Sequence, residues 1–424
     1  MTTDHPPAQA GWTGSGTGRT GRAGGGAGGG GVGAAGTGYV TQPDTGRQRM
    51  FYPTGSSRRA GGPSRMLPPM TPGRPDGPVV AEPALRAVLA DAAGWYRAQL
   101  LAGPDAAVGL LRGRGLIDLA VDTAAGVRWQ FGYAPGGFGG HLLTRHLHGR
   151  GHPDAVIAAA GLATTRSTGG LVDVLRDRLV VPLRDGGGVV GFTGRRLTEP
   201  LATAERVPPK WLNTATTALY RKSTHLHGLT EQADLLAARR GHLVLVEGAL
   251  DAVAVSLAGH IGLAAGGTAL TADHAAQLRA LTGPGRPLHV AYDSDTAGQA
   301  ATLRAAGLLA GWPAVQVFLP PGHDPASILN GTGARGLRRT LTQTRPLVDA
   351  AVDHRLAKWD RHLATNNVGA AVDAVRDVSP LIAGAPPDQY ARLIAHTAAY
   401  TGVPLDTVTE LVTDQIAPDP DRDR

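Results

Sequence analysis

The chain has 424 residues, with 41 Lys plus Arg against 34 Asp plus Glu, a formal net charge of +7, 61 Gly and no Cys. That length serves one large or two or three modest cores. The lack of cysteine excludes a disulfide framework, thiolate catalysis and a Cys-based zinc ribbon within this sequence. The positive balance suits a polyanionic partner, although cations that are almost all Arg, amid abundant Ala and Gly, do not by themselves single out nucleic acid.

Residues 1–80 read as a disordered tail. A glycine tract at Ala23–Gly36 precedes a Pro-rich run through Pro72, Pro75 and Pro78, and so little apolar surface cannot offset the ordering entropy. Gly24, Gly26 and Gly29 formally satisfy G-x-G-x-x-G, but no strand precedes them, so the match carries no nucleotide site. Order is expected from about Ala81. Apolar residues at helical spacing over Leu85–Gly103 predict a helix, stopped by Gly103-Pro104, and short helices follow to about Gly161. From Leu179 the period becomes that of a β-hairpin turning at Arg184-Asp-Gly-Gly-Gly. Between Leu243 and Leu319 apolar strands alternate with helical segments, which means a parallel sheet with covering helices. Residues from Ala334 to about Val412 read as amphipathic helices with a frayed acidic end. The fold class expected is α/β (α+β overall). Its parts are a mixed basic subdomain at 81–238, a parallel-sheet subdomain at 239–333, a helical subdomain at 334–415 and a disordered tail at 416–424. No run of about eighteen apolar residues and no charged-then-apolar leader occurs, which predicts a cytoplasmic protein with no membrane partner.

Two of the predicted strands end in acid. LVLVEGALDA, from Leu243, places Glu247 at a strand end and Asp251 one helical turn later; HVAYDSD, from His289, repeats the arrangement with Asp293 and Asp295. In open α/β sheets the carboxyl edge is where ligands bind. One acid there is most often a helix cap. Four acids converging on one cleft repel each other and call for hard cations, with Mg²⁺ the natural choice because it takes few protein oxygens and keeps room for water and phosphate.

The spacing Glu-Gly-x-x-Asp, then Asp-x-Asp-x-x-Gly, resembles the TOPRIM signature. Further segments resemble motifs of bacterial DnaG-type primases in the same order: FGYAPGGF from Phe131, LRDRLVVPLRDGGGVVGFTGRRL from Leu175, PKWLNTATTALYRKSTHLHGL from Pro209, GGTALTADHAAQL from Gly266 and FLPPGHDPASIL from Phe318. The resemblance spans about Glu82 to Val412. It implies a primase catalytic core, a nucleotidyltransferase making short primers on single-stranded DNA from nucleoside triphosphates. Glu247, Asp251, Asp293 and Asp295 would be the catalytic acids, and Glu247, Asp293, Asp295 and Asp324 the ligands of Mg²⁺ or Mn²⁺, with no zinc expected. A polymerising site also needs fixed cations for triphosphate and template. Arg195, Lys210 and Lys222 match basic positions of the family, Asn213 matches its Leu-Asn element, and Arg196 and Arg221 lie beside them.

The departures are informative too. The family usually carries an N-terminal zinc ribbon and a helicase-binding domain, so template or helicase engagement is expected to need a replicative helicase or a separate zinc-module protein. Where the family often has Asp-Pro-Asp, this chain reads Asp324-Pro325-Ala326. Two alternatives stand beside primer synthesis: a catalytically weakened TOPRIM protein binding single-stranded DNA in mobile-element replication, and another TOPRIM enzyme such as a nuclease. His141, His146, His148 and His152 lie among Gly149, Gly151 and Pro153, which predicts no helical face presenting them to zinc.

Overall fold

A computed structural model describes residues 80–416 apart from 138, 168, 199–207, 267–268 and 283–285. The tail readings at 1–79 and 417–424 lie outside the described residues.

The chain opens with helix α1 (Glu82–Leu101), which starts on Pro83 and buries Leu85, Val88, Leu89, Ala92, Tyr96 and Leu100 along one stripe. α2 (Asp105–Arg112), a 3₁₀ turn at Ile117–Ala120 and α3 (Ala124–Trp129) follow, then strand β1 (Gly132–Ala134), α4 (Leu142–Gly149) and α5 (Asp154–Ala159). β2 (Ala163–Thr165) and β3 (Leu171–Asp173) pair with each other. The expected hairpin is β4 (Arg178–Asp185) and β5 (Gly188–Arg196), antiparallel. With β6 (Trp211–Asn213) it builds a four-stranded sheet of order β1-β4-β5-β6, and α1 covers it through Tyr96, whose ring meets Phe192 edge-on at 5.3 Å.

α4 is one of the short helices expected before Gly161, and it carries His146 and His148 where Gly149, Gly151 and Pro153 had argued against a helical face. The buried carboxylate of Asp173 accepts from the backbone amides of Leu143 at 2.9 Å and Thr144 at 3.0 Å. Two otherwise orphaned helix N–H groups are thereby satisfied from β3, 29 and 30 residues away.

After α6 (Ala233–Ala237) the alternation produces β7 (Leu243–Val246), α7 (Ala249–Leu257), β8 (Ile261–Ala264), α8 (Ala272–Thr282), β9 (Leu288–Val290), α9 (Thr296–Leu308) and β10 (Ala314–Val317). β7, β8, β9 and β10 are mutually parallel, and their residues are mostly buried because helices cover the sheet. α10 (Pro325–Leu341) breaks at Gly333, whose φ is 68°. One strand was not expected among the C-terminal helices: β11 (Thr344–Pro346) adds antiparallel to β10, giving the order β11-β10-β9-β7-β8. α11 (Leu347–Ala357), α12 (Asp360–Leu363), α13 (Val368–Ala383), α14 (Tyr390–Thr401) and α15 (Leu405–Ile416) then form a bundle around Val352, Leu356, Val375, Val378, Leu393 and Val408. The class is the expected mixture of α/β and helical parts.

Buried hydrogen bonds fasten the basic region to the parallel sheet. The Gln232 amide donates to Gly228 O and Gly262 O, both at 2.8 Å, and accepts from Gly262 N. His227 and Ala264 bond through both backbone groups. Among the described residues no helix is long and apolar enough to cross a membrane.

Candidate active site

Five carboxylates gather at the carboxyl edge of the parallel sheet. Glu247 leaves β7, Asp251 sits in the first turn of α7, Asp293 follows β9, Asp295 caps α9 and Asp324 caps α10. Each of them except Asp293 accepts a backbone amide, which fixes its direction. Glu247 Oε1 takes Asp293 N at 3.2 Å, Asp251 Oδ1 takes Ala326 N at 3.2 Å, Asp295 Oδ1 takes Gly298 N at 2.8 Å, and Asp324 Oδ1 takes Ser327 N at 2.7 Å. Asp295 is thus both a helix cap, as a lone acid would be, and a member of the cluster.

Helix α9 comes very near the strand end. A Cβ on Gly298 would stand 2.0 Å from Asp293 O. Only glycine permits that approach, and it brings Asp293 and Asp295 into one loop.

The electrostatics are those of crowded negative charge. Burial first, then Asp324 and Asp293, push the Asp251 carboxyl up to about 7. Burial and the neighbouring Glu247, Asp324 and Asp295 push Asp293 up to about 6. Glu247 is also raised, by burial and by Asp295. Asp324 runs the other way: burial raises it, but the Ser327 amide and the Arg114 guanidinium outweigh that and hold it below the usual carboxylate range.

Arg114 was not anticipated. It sits between Gly113 and Gly115 in the turn after α2, and its guanidinium pairs with Asp324 Oδ2. Gly115, at φ 67°, lets this turn lie on α10, since a Cβ there would be 3.0 Å from the Asn330 Cα. The signal in the sequence was an Arg held in a glycine-flanked turn.

The expected cations divide into two groups. Arg195 and Thr193 of β5 pair with Trp211 and Asn213 of β6, so all four share one face of the sheet. On that face Thr193 and Trp211 line a narrow cleft of about 40 Å³ together with Glu247, Gly248 and Gly266. The Arg195 guanidinium lies 5.7 Å from the Trp211 ring centroid, and the Asn213 amide donates to Gly266 O at 3.2 Å. Arg195 and Asn213 thus contact residues of the cleft that Glu247 lines. Lys210 is exposed at the start of β6, while Arg221 and Lys222 lie on the segment held to α8 by Thr271 Oγ1 on Ser223 O and Gln277 Nε2 on Thr224 O, both 2.6 Å. None of these three is among the residues that line the cleft. Arg196 is turned to backbone carbonyls, Thr198 O at 2.8 Å and Pro208 O.

The donor set suits a hard cation: every candidate ligand is a carboxylate oxygen, and three of the acids are raised first by burial and then by mutual repulsion that a cation would relieve. Among the described residues no group of three or more His, Asp or Glu is placed so that it could hold a metal ion. That is compatible with Mg²⁺, which keeps several waters and shares its shell with phosphate. The histidines expected to be idle have separate partners: His148 with Asp154 at 2.5 Å, His152 with Asp91 at 2.7 Å, and His146 stacked on Trp95.

Comparison with known proteins gives two adjacent family matches. Residues 95–233 match "DNA primase catalytic core, N-terminal domain" and residues 244–329 match "Toprim-like". The DNA primase of Streptomyces coelicolor is 35% identical over 290 residues, which are 67% of this chain and 43% of that protein. The chain thus spans less than half of that relative's length. Among solved structures, the RNA polymerase domain of Mycobacterium tuberculosis primase DnaG superposes with a TM-score of 0.61 at 31% identity, over 74% of this chain and 99% of that one. A DnaG primase catalytic domain bound to single-stranded DNA gives 0.60 at 25% identity, over 77% of this chain and 98% of the other.

Proposed function

Since the chain belongs to the family of DnaG-type primase catalytic cores, we propose that it synthesises short primers on single-stranded DNA, joining nucleoside triphosphates through attack of a 3′-hydroxyl on the α-phosphate with release of pyrophosphate. The observation that carries this reading is the set of five acids at one sheet edge, one of which, Glu247, lines the cleft beside Trp211, the ring that Arg195 overlies.

Glu247, Asp293 and Asp295 would hold Mg²⁺ or Mn²⁺, and Asp251 and Asp324 would support it or take a second ion. When bound, the ion lowers the pKa of the attacking hydroxyl and offsets charge on the leaving pyrophosphate. The chain's own residues do the positioning. Arg195, Lys210 and Lys222 hold phosphates of triphosphate or template, Arg221 adds charge beside them, and Asn213 keeps the loop after β8 against β6. Backbone-directed cations position a strand and do not read it, so sequence selection by this core is weak.

We divide the labour among a basic subdomain at 81–238, an acid-bearing one at 239–333 and a helical one at 334–415; the kink of α10 at Gly333 supports the last boundary. The reading makes the protein cytoplasmic. Template or helicase engagement would draw on a replicative helicase or a separate zinc-module protein as partner.

A second reading, binding of single-stranded DNA without synthesis, is favoured by Ala326. It stands where the family often has a further acid, it is fully buried, and its backbone amide takes up Asp251 Oδ1. Primer synthesis on mixed single-stranded templates, with Mg²⁺ or Mn²⁺ and labelled nucleotides, decides between them. Labelled oligonucleotides support the first reading, and template binding with none formed supports the second.

A further inference from the structure

A second cleft, outside the acid site, opens between α1 and α4. It encloses about 610 Å³, within the range of ligand pockets, and is lined by Trp95, Gln99, Leu142, Arg145, His146 and Arg150 among others, with no acid in the lining. Its construction follows from the two helices. Trp95 lies beside the buried stripe of α1, so its ring is held by Tyr96 on one side, centroids 5.4 Å apart, while part of it reaches solvent. His146, one residue before the buried Leu147 of α4, stacks on Trp95 with centroids 5.8 Å apart and ring planes 28° from parallel. The Asp173 cap fixes α4, and with it the direction of the exposed Arg145. Arg150 is oriented by Asp91, through hydrogen bonds of 3.1 and 3.4 Å. Arg145 enters no ion pair among the described residues.

Flat rings with a free cation beside them and no carboxylate in the lining are what a base and its phosphate require. Stacking on such a platform is tolerant of sequence, and Arg supplies the charge. Position adds to this. The cleft adjoins β1, one edge of the four-stranded sheet, and the acid cleft adjoins β6, the other edge. Three strand spacings, about 14 Å, separate those edges.

We infer that this cleft is an outlying contact for single-stranded template, in which an unpaired base lies against the Trp95–His146 pair and Arg145 holds an adjoining phosphate. The inference rests on the proposed template-directed activity. A strand occupying the acid cleft would reach the outlying contact only when it extends past the sheet.

The test measures affinity of the full chain for labelled single strands of increasing length, by fluorescence anisotropy, for the wild type, Trp95→Ala, Trp95→Phe and Arg145→Glu. Arg145 is exposed, so its variant keeps the test valid if Trp95→Ala fails to fold. Trp95→Ala and Arg145→Glu should weaken binding of long strands about tenfold, with short strands unaffected and Trp95→Phe near wild type. Photocrosslinking with a halogenated pyrimidine beyond the short footprint should label the Trp95 peptide. Wild-type affinity of Arg145→Glu at every length, or crosslinks confined elsewhere, overturns the contact. So does equal weakening of short and long strands, or binding of free nucleotide in the cleft with no length dependence. If the wild type binds no single strand at any length, the functional reading falls together with it.

Discussion

Arg114 and Asp324 form an ion pair across 210 residues of chain, joining the turn after α2 to the cap of α10. Both side chains are about three-quarters buried, with 25% and 22% exposed, so this pair is worth more than a surface bridge. Arg114→Ala should cost about 1 to 3 kcal/mol in denaturant unfolding and should let Asp324 titrate nearer the ordinary carboxylate range. Arg114→Lys should recover only part of the loss, because an ammonium lacks the fork of donors. Unchanged stability in both variants would show that the pair is not formed in solution.

A pH signature follows from Asp251. Its carboxyl is raised to about 7 in the folded chain, above the unfolded value near 3.8. The folded state therefore holds the proton more tightly between those values, and stability present below pH 3.8 is lost as pH rises toward 7. Asp251→Asn removes this term and keeps an acceptor for Ala326 N. The variant should gain on the wild type across that window and be more stable at pH 8 by on the order of 2 kcal/mol. Added Mg²⁺ should narrow the gap. Buried histidines such as His227 and His260, lowered to about 3 and about 4, act in the opposite sense on the whole chain, so the quantity to compare is the difference between variant and wild type.

Glu247→Gln and Asp293→Asn should each abolish nucleotide incorporation with little effect on circular dichroism or melting. The charge is removed from a solvent-facing edge while no core volume changes, and in Glu247→Gln the side-chain carbonyl still accepts the Asp293 amide. Incorporation at the wild-type rate by either variant would remove the acid from the site.

Lys210→Ala and Lys222→Ala should lower single-strand affinity evenly across template sequences. Each lost phosphate contact should also flatten the logarithmic salt dependence by about 0.7. A loss confined to particular sequences would assign these lysines to base reading instead.

Much of the acid edge was legible because buried parallel strands are written as apolar runs: β7 and β8 are uninterrupted, and β9 and β10 each carry a single polar residue, His289 and Gln316. The acids at the ends of β7 and β9 could be read from the same runs. What escaped has non-local causes. β11 is three residues, Thr344, Arg345 and Pro346, and exists because β10 has an open edge to pair with. A short helix was expected near Leu142–Gly149, but its cap was not legible, because Asp173 supplies it from a distant strand. Arg114 gave no periodic signal, since its partner lies on α10 and its turn is shaped by two glycines.

The close approach at Gly298 has a consequence of another kind. The clearance between α9 and the Asp293 carbonyl is smaller than a methyl group, so the chain has a point where catalytic competence could be lost while every carboxylate and every cation remains in the sequence. Gly298→Ala would have to shift the backbone of the Asp293–Asp295 loop to relieve the overlap. Misplacement of a reacting group by about 1 Å can cost a hundredfold in rate. A survey of naturally varying chains that scored only their ionisable residues would count such a protein as intact.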